Sequence, residues 1–151
     1  MRNCEMDNII KNKEITMIVE PTLEGIVQNI QTVPPTCSVV EVEELFNEVD
    51  MTLRGIVVVD GDKPIGLVMK EKMYFKLGTT FGVSLYRKRP IEDLMDKTPL
   101  IMDCDVDLAK AAMIAMSRDS FSIYDLITVT KNGSFIGVVS IMNLILNVIR
   151  E

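Results

Sequence analysis

Residues 124–145 read YDLITVTKNGSFIGVVSIMNLI, and this stretch decides the fold. Two runs rich in β-branched residues flank Asn132-Gly133, and Asn-Gly is the strongest short signal for a two-residue hairpin turn. The second run ends at Ser140, a residue type that favours the N-cap of a helix, and an apolar segment follows it. The stretch therefore predicts a β-hairpin that leads directly into a helix.

An earlier stretch repeats this pattern. Residues 55–68 read GIVVVDGDKPIGLV, and moving 71 positions along the chain takes Ile65 to Ile136 and Gly66 to Gly137. A unit of about 60 residues is only marginally stable alone, whereas two stacked copies bury each other's apolar faces. The repeat therefore predicts two similar halves that share one core.

The flanking segments predict the remaining elements. Apolar residues at helical spacing from Leu23 to Ile30 indicate a helix. Ser38 and Glu41 have the spacing of a capping box, in which each side chain bonds the other residue's backbone N–H. Asp107 suits the N-cap of a third helix. Besides the helix from Leu23 to Ile30, the predicted helices cover 39–49, 90–95, 108–117 and 141–149, and an amphipathic segment covers 69–77. The predicted strands cover 55–59, 64–68, 100–102, 126–130 and 134–139.

The composition excludes several classes of function. None of the 151 residues is histidine, so Ser–His–Asp and Cys–His catalysis and His-ligated metal sites are ruled out. Sixteen Lys and Arg against 22 Asp and Glu give a net charge of −6, which argues against a dedicated nucleic-acid binder. Asp103, Asp105 and Asp107 alternate as in a calcium loop, but the glycine and the final glutamate of such a loop are missing. We expect neither an enzyme nor a metal site.

Cysteine usage and hydropathy bear on the compartment. Cys4, Cys37 and Cys104 are widely spaced and form no CxxC motif, so we expect free thiols in a reducing compartment. The most apolar stretch, residues 135–149, is short and is interrupted by polar residues. The N-terminus lacks the apolar core of a signal peptide. A cytoplasmic protein without a membrane span is predicted.

The order of these elements resembles a known family. An extended lead-in, a capped helix, a strand pair ending in I-G-x-V and a Ser-capped helix, present twice, are similar to a tandem pair of CBS (cystathionine β-synthase-type) domains, called a Bateman module. IMDCDVDLAKAAMIAM at 101–116 with the hairpin quoted above is the better match, and TVPPTCSVVEVEELF at 32–46 with residues 55–68 is fainter. The resemblance covers residues 22–149. It implies an α/β fold of two pseudo-symmetric repeats, each helix–strand–strand–helix, that share one core.

The resemblance also suggests a domain organisation. We expect a lead-in over 1–21, a first repeat over 22–77, a connector with a short helix over 78–97 and a second repeat over 98–151. The connector, FKLGTTFGVSLYRKRPIEDLMD at 75–96, resembles the subgroup in which the pair stands beside GGDEF or EAL domains of cyclic-di-GMP enzymes. A GGDEF/EAL-type output domain is therefore an implied partner.

In this family the cleft between the repeats can hold a nucleotide. The resemblance implies an element G-h-x-[ST]-x-x-D, in which the hydroxyl residue binds phosphate and the Asp binds ribose. In the second copy Ser140 fits, while Asn143 replaces the acidic residue. A helix start also favours an anion, although Ser140 can equally be a plain N-cap and Asn143 an exposed helix residue. The resemblance implies a further lining of Thr98, Pro99, Leu100, Ile101, Tyr124 and Asp125.

The first copy carries a weaker version of this element. Met69 and Lys72 occupy its two polar positions. Lys72 can attract a phosphate, but a solvated charged helix face is the preferred interpretation. The resemblance implies Thr32, Val33, Leu53 and Arg54 as the remaining lining of this second cleft.

The last helix is apolar nearly all round, which requires cover on more than one side. Methionines suit adaptable contact surfaces, and the family resemblance also implies a homodimer. The alternative is that this helix packs only within its own chain.

Together these features predict a regulatory module that senses a small molecule. An adenine nucleotide such as AMP or ATP, or another adenosyl ligand, would bind between the repeats and bias an attached output through the dimer geometry. The alternative is a dimerisation scaffold without a ligand.

Overall fold

The computed structural model describes residues 21–48, 53–79 and 85–150. One unit occurs twice along the chain, and the expected α/β fold of two pseudo-symmetric repeats is confirmed. The first unit comprises β1 (Thr32–Val33), α1 (Val39–Glu48), β2 (Gly55–Asp60), β3 (Lys63–Met69) and α2 (Lys70–Leu77). The second comprises β4 (Ile101–Asp103), α3 (Leu108–Met116), β5 (Ile127–Lys131), β6 (Ser134–Val139) and α4 (Ile141–Ile149). None of the helices described is long and apolar enough to cross a membrane.

Each unit forms a three-stranded sheet with the first strand of its hairpin in the centre. β1 pairs in parallel with β2, and β2 pairs antiparallel with β3; β4, β5 and β6 repeat this order. Asn132 and Gly133 have φ of 53° and 83°, as the predicted tight hairpin turn requires. Both hairpins shift register at the same place, after Val58 in one and Val129 in the other.

Three groups of buried side chains form the core. The first packs α1 and α2 on the first sheet, with Phe46, Ile56 and Met73 at its centre. The second packs α3 and α4 on the second sheet in the same way. A smaller central cluster joins the two sheets and consists of Val57, Leu67, Leu126 and Val138. The two repeats are therefore held together by apolar contact between their hairpins.

Two short segments exchange places between the repeats. Residues 22–28 precede the first unit, which begins at β1, yet Leu23 is buried in the second group and its N–H donates to Val106 O at 3.0 Å. Residues 90–96 precede the second repeat, yet Ile91 is buried in the first group and its N–H donates to Cys37 O at 2.6 Å. We call these two the crossing segments. Because each packs on the opposite repeat, neither half buries its core without the other.

The predicted helix over residues 23–30 is wrong. Only Leu23–Gly25 forms a turn of 3-10 helix. The chain is then extended, and Gln28 exchanges two backbone hydrogen bonds of 2.9 Å with Val138. These bonds to β6 satisfy backbone groups that an isolated helix would pair internally. The apolar spacing instead reflects contact with the second repeat, where Ile26 and Val27 also pack.

The predicted helix over residues 90–95 is likewise shorter than expected. It is a 3-10 turn over Ile91–Asp93. Asp96 then exchanges backbone hydrogen bonds with Leu67, at 2.9 and 3.1 Å. The two crossing segments thus make equivalent contacts with the two hairpins.

The helix N-caps lie where the sequence predicts them. The hydroxyl of Ser140 accepts from Asn143 N at 3.1 Å, and the carboxylate of Asp107 accepts from Lys110 N at 2.8 Å. Ser38 accepts from Glu41 N at 3.2 Å, but the Glu41 carboxylate accepts a hydrogen bond from the Cys37 thiol. The reciprocal half of the capping box is therefore replaced by this thiol contact. The predicted end of this helix at residue 49 lies outside the described residues.

The two I-G-x-V glycines lie where the crossing segments touch the hairpins. A Cβ at Gly137, whose φ is 154°, would lie 2.5 Å from the carbonyl oxygen of Gln28. A Cβ at Gly66 would collide with the side chain of Met95. Glycine is needed at both positions because another chain segment passes too close for a side chain.

Because Gly137 faces backbone and Gly66 faces a flexible side chain, alanine should destabilise the two positions unequally. Gly137→Ala should lower the free energy of unfolding by about 3 kcal/mol, because the backbone of Gln28 cannot move without loss of its bonds to Val138. Gly66→Ala should cost about 1 kcal/mol, since the flexible Met95 side chain can move aside. Urea denaturation of both variants measures the difference, and equal losses would contradict this account.

Candidate functional site

Three adjoining cavities lie between the repeats. The largest, about 590 Å³, is bounded by α2, residues 94–97 and residues 121–125. The second, about 440 Å³, lies where α2 and α4 begin. The third, about 380 Å³, is bounded by residues 96–100 and 118–122. Asp125 lines all three cavities, so it marks the point where they meet.

A partly buried ion pair occupies this meeting point. Lys72 Nζ on α2 donates to Asp125 Oδ2 at 2.6 Å, and the two side chains are 26% and 8% exposed. The same ammonium lies 4.1 Å from the centroid of the Phe121 ring. A carboxylate and an aromatic face thus hold one cation between the first and the second repeat.

Arg118 fixes the loop that carries Asp125. Its guanidinium donates to the carbonyl oxygens of Ala115, Ile123 and Asp125, at 2.9, 2.8 and 3.1 Å. Burial lowers the pKa of Arg118, and the charge of Asp125 acts in the opposite direction. Because its hydrogen bonds go to backbone oxygens, Arg118 orders the loop and leaves the carboxylate of Asp125 to Lys72.

Charged groups of both signs line the cavities. Lys72, Lys76 and Lys97 line the largest cavity together with Asp96 and Asp125. Arg118 and three carboxylates, Asp96, Asp119 and Asp125, line the smallest. Apolar side chains form much of the surface of the largest cavity, among them Leu67, Met69, Met73, Leu94 and Met95. This lining suits a ligand with an apolar body and a few polar or charged groups.

The structure distributes the residues expected in the second-copy cleft over two cavities. Thr98, Pro99 and Leu100 line the smallest cavity together with Asp125. Tyr124 and Ser140 line the middle cavity, again with Asp125. Ile101 and Asn143 line none of the three; Ile101 is exposed on β4, and the Asn143 side-chain oxygen accepts from Asn147.

The residues expected in the first-copy cleft are separated in the same way. Arg54, Met69 and Lys72 line the middle cavity with the second-copy residues. Val33 is buried in the first group, where Leu53 also packs, and Thr32 pairs with Val57 between β1 and β2. Residues expected in two separate clefts thus line one cavity together. Since the hairpins pack against each other, the start of α2 lies beside the residues that precede β5.

Several lining residues were missed by the sequence reasoning. Phe121, Ser122 and Arg118 lie between α3 and β5, where no periodic pattern points to a role. Met95 and Asp96 belong to a crossing segment whose partner cannot be read from local spacing. Met95 and Asp96 can be assigned to the cavity lining only when this segment is known to pack on the first repeat.

Two cysteine thiols lie in the described residues and are free. Burial, with the hydrogen bond to Glu41 and its charge, raises the pKa of Cys37 to about 12. Burial is also the main cause that raises the pKa of Cys104. Neither thiol is activated as a nucleophile. The described residues also contain no group of three or more Cys, Asp and Glu placed to hold a metal ion.

Comparison with known proteins gives a family match. The model of the family described as CBS domain matches residues 23–75 and 91–150. No curated protein matches the chain.

Solved structures share the fold. CBSX2 in complex with AMP is 22% identical, with a TM-score of 0.66 over 86% of this chain and 97% of that one. The CBS-pair protein CBSX2 from Arabidopsis thaliana is also 22% identical, with a TM-score of 0.68 over 87% and 96%. A CBS domain-containing protein of unknown function from Bacillus anthracis is 13% identical, with a TM-score of 0.71 over 88% and 96%.

The Lys72–Asp125 ion pair predicts strongly coupled substitutions. Lys72→Met leaves a buried carboxylate without a partner, so it should lower the free energy of unfolding by about 2 kcal/mol. The double variant Lys72→Met/Asp125→Asn leaves no unpaired charge and should recover at least half of that loss. Urea denaturation measures both, with exposed Lys110→Met as the control. A double variant no more stable than Lys72→Met would show that the pair is not coupled.

Proposed function

We propose a function for this chain, which belongs to the CBS-domain family as a tandem pair of such domains. It is a regulatory module that binds an adenine nucleotide or another adenosyl ligand. The observation that carries the proposal is the set of cavities that meets at Asp125 between the repeats. Their volumes, about 380 to 590 Å³, lie in the range of small-molecule sites, about 300–1,000 Å³. CBSX2, which has the same fold, is described in complex with AMP.

The proposed mechanism is a shift between conformations. A ligand in these cavities would touch Leu67, Met69 and Lys72 of the first repeat and Leu100 and Ser122 of the second. It would therefore bind one relative arrangement of the repeats more tightly and increase its population. The effect would reach an output domain only through this differential affinity. The module itself would catalyse nothing.

Binding of AMP should raise the melting temperature. At a hundredfold excess over its Kd, a ligand adds about 2.7 kcal/mol of stability. Ser122→Trp should abolish the shift, because Ser122 lines two of the cavities and an indole would fill them. Ser120→Trp, on the same loop but exposed, should leave it unchanged. Thermal melting with AMP, ADP and ATP is the measurement, and no shift with any of the three would reject nucleotide binding.

We extend the proposal to the output. A cyclic-di-GMP type GGDEF or EAL domain, attached or as a partner, would receive the signal. The support is the resemblance of residues 75–96 to the connector of that subgroup. A cytoplasmic location belongs to the same proposal and is supported by the free thiols of Cys37 and Cys104.

A homodimer without a ligand is the second candidate. Its support is an exposed apolar face on α3 and α4, which pack against each other. Met113 and Ile149 are both 73% exposed. The other exposed side chains of this face are Ile114, Met116, Met142 and Leu146. By contrast, α1, the corresponding helix of the first repeat, exposes Glu41, Glu44 and Asn47, so its described residues form no comparable apolar face.

This face predicts where a dimer would break. Met113→Glu/Met142→Glu should convert a dimer to a monomer, because the partner would have to bury two unpaired carboxylates. Phe75→Glu, an exposed apolar position on α2, should leave the dimer intact. Light scattering after size exclusion measures the mass. A monomeric wild-type chain, or a dimer that survives the double substitution, would contradict this interface.

A further inference from the structure

The Lys72–Asp125 ion pair separates the two larger cavities. Lys72, Asp125 and Phe121 line both the cavity of about 590 Å³ and that of about 440 Å³. A molecule that occupies both cavities therefore lies against the ammonium and the carboxylate. The charges that this molecule carries decide whether the exchange is favourable.

A ligand of one charge sign that breaks this pair leaves one partner unsatisfied. An anion that draws the Lys72 ammonium away from Asp125 leaves a carboxylate whose side chain is only 8% exposed. A buried charge without a partner is strongly destabilising. Arg118 does not replace the lysine, since its N–H groups go to three carbonyl oxygens. A ligand that is only a cation satisfies Asp125 but displaces Lys72 from both the carboxylate and the Phe121 ring.

Among the other charged groups that line these two cavities, Lys97 is exposed and the rest have partners. Lys76 Nζ donates to Leu94 O at 3.1 Å. The Asp96 carboxylate accepts from Thr98 N at 2.9 Å. Arg54 pairs with Glu71 at 3.3 Å on the exposed side of the middle cavity. The balance at the meeting point therefore depends on Lys72 and Asp125.

A zwitterion leaves neither charge unpaired. Its ammonium can take the place of the lysine between Asp125 and the Phe121 ring, while its carboxylate pairs with the displaced Lys72. One ion pair is exchanged for two. An apolar side chain on the same small molecule would then lie in the largest cavity against Met69, Met73 and Leu94.

We propose that this meeting point is a binding site for a free α-amino acid with an apolar side chain. The ammonium of the amino acid binds Asp125 and Phe121, and its carboxylate binds Lys72. The site does not depend on the proposed binding of a nucleotide. It gives the module a second class of ligand, recognised by the pair that joins the repeats.

Compounds that share one apolar body test the proposal. Calorimetry on the full chain first compares leucine, methionine and phenylalanine. Phenylalanine is then set against 3-phenylpropionate, which lacks the ammonium, and 2-phenylethylamine, which lacks the carboxylate. We expect phenylalanine to bind at least about tenfold more tightly than either analogue. No binding of the three amino acids, or equal binding of an analogue, overturns the proposal and leaves the AMP result untouched.

A charge-free variant shows whether this pair is responsible. Lys72→Met/Asp125→Asn, in which no charge is left unpaired, should lose the preference for the zwitterion while its melting curve stays cooperative. The matched control Lys110→Met/Asp60→Asn changes two exposed residues and should keep the full preference. If the Lys72→Met/Asp125→Asn variant still prefers phenylalanine over both analogues, the binding site lies elsewhere and the proposal fails.

Discussion

The close approach of each crossing segment to the opposite hairpin is the constraint on which the rest of the structure depends. Gln28 lies against Gly137 and Met95 against Gly66, so both hairpins need glycine at that point. Leu23 precedes the first unit but is fully buried in the second. Ile91 precedes the second unit but is fully buried in the first. Each half therefore supplies part of the other's core, and folding of one is tied to folding of the other.

The same exchange creates the site. With residues 90–96 on the first repeat, Asp96 pairs with Leu67, and the chain from Thr98 to Leu100 continues along the cleft. The start of α2 then faces the loop before β5, where Lys72 meets Asp125. The cavities are lined from both repeats because the backbone crosses between them. A ligand there touches the joint between the halves, which is where a regulatory module would need it.

Local chemistry made the hairpins and caps predictable. Asn132-Gly133, Ser140 and Asp107 act on residues within four positions, so their effects can be read from spacing alone. The prediction of a helix over residues 23–30 is wrong because its apolar spacing reflects contact with the second repeat, where Leu23, Ile26 and Val27 pack. The ion pair joins residues 53 positions apart, and no local pattern links them. The I-G-x-V glycines are visible in the sequence, but the close contacts that require glycine are made by the crossing segments.

The repeat symmetry holds for the backbone and fails for the charges. Moving 71 positions takes Lys72 to Asn143 and Arg54 to Asp125. The partly buried ion pair on one side of the pseudo-twofold axis thus corresponds to an amide and an arginine on the other. That arginine pairs with exposed Glu71, and Asn143 bonds within α4. Because loss of a partner costs a buried charge far more than an exposed one, the two equivalent positions differ in their electrostatics. Two copies of one architecture therefore carry a partly buried ion pair on one side and an exposed ion pair on the other.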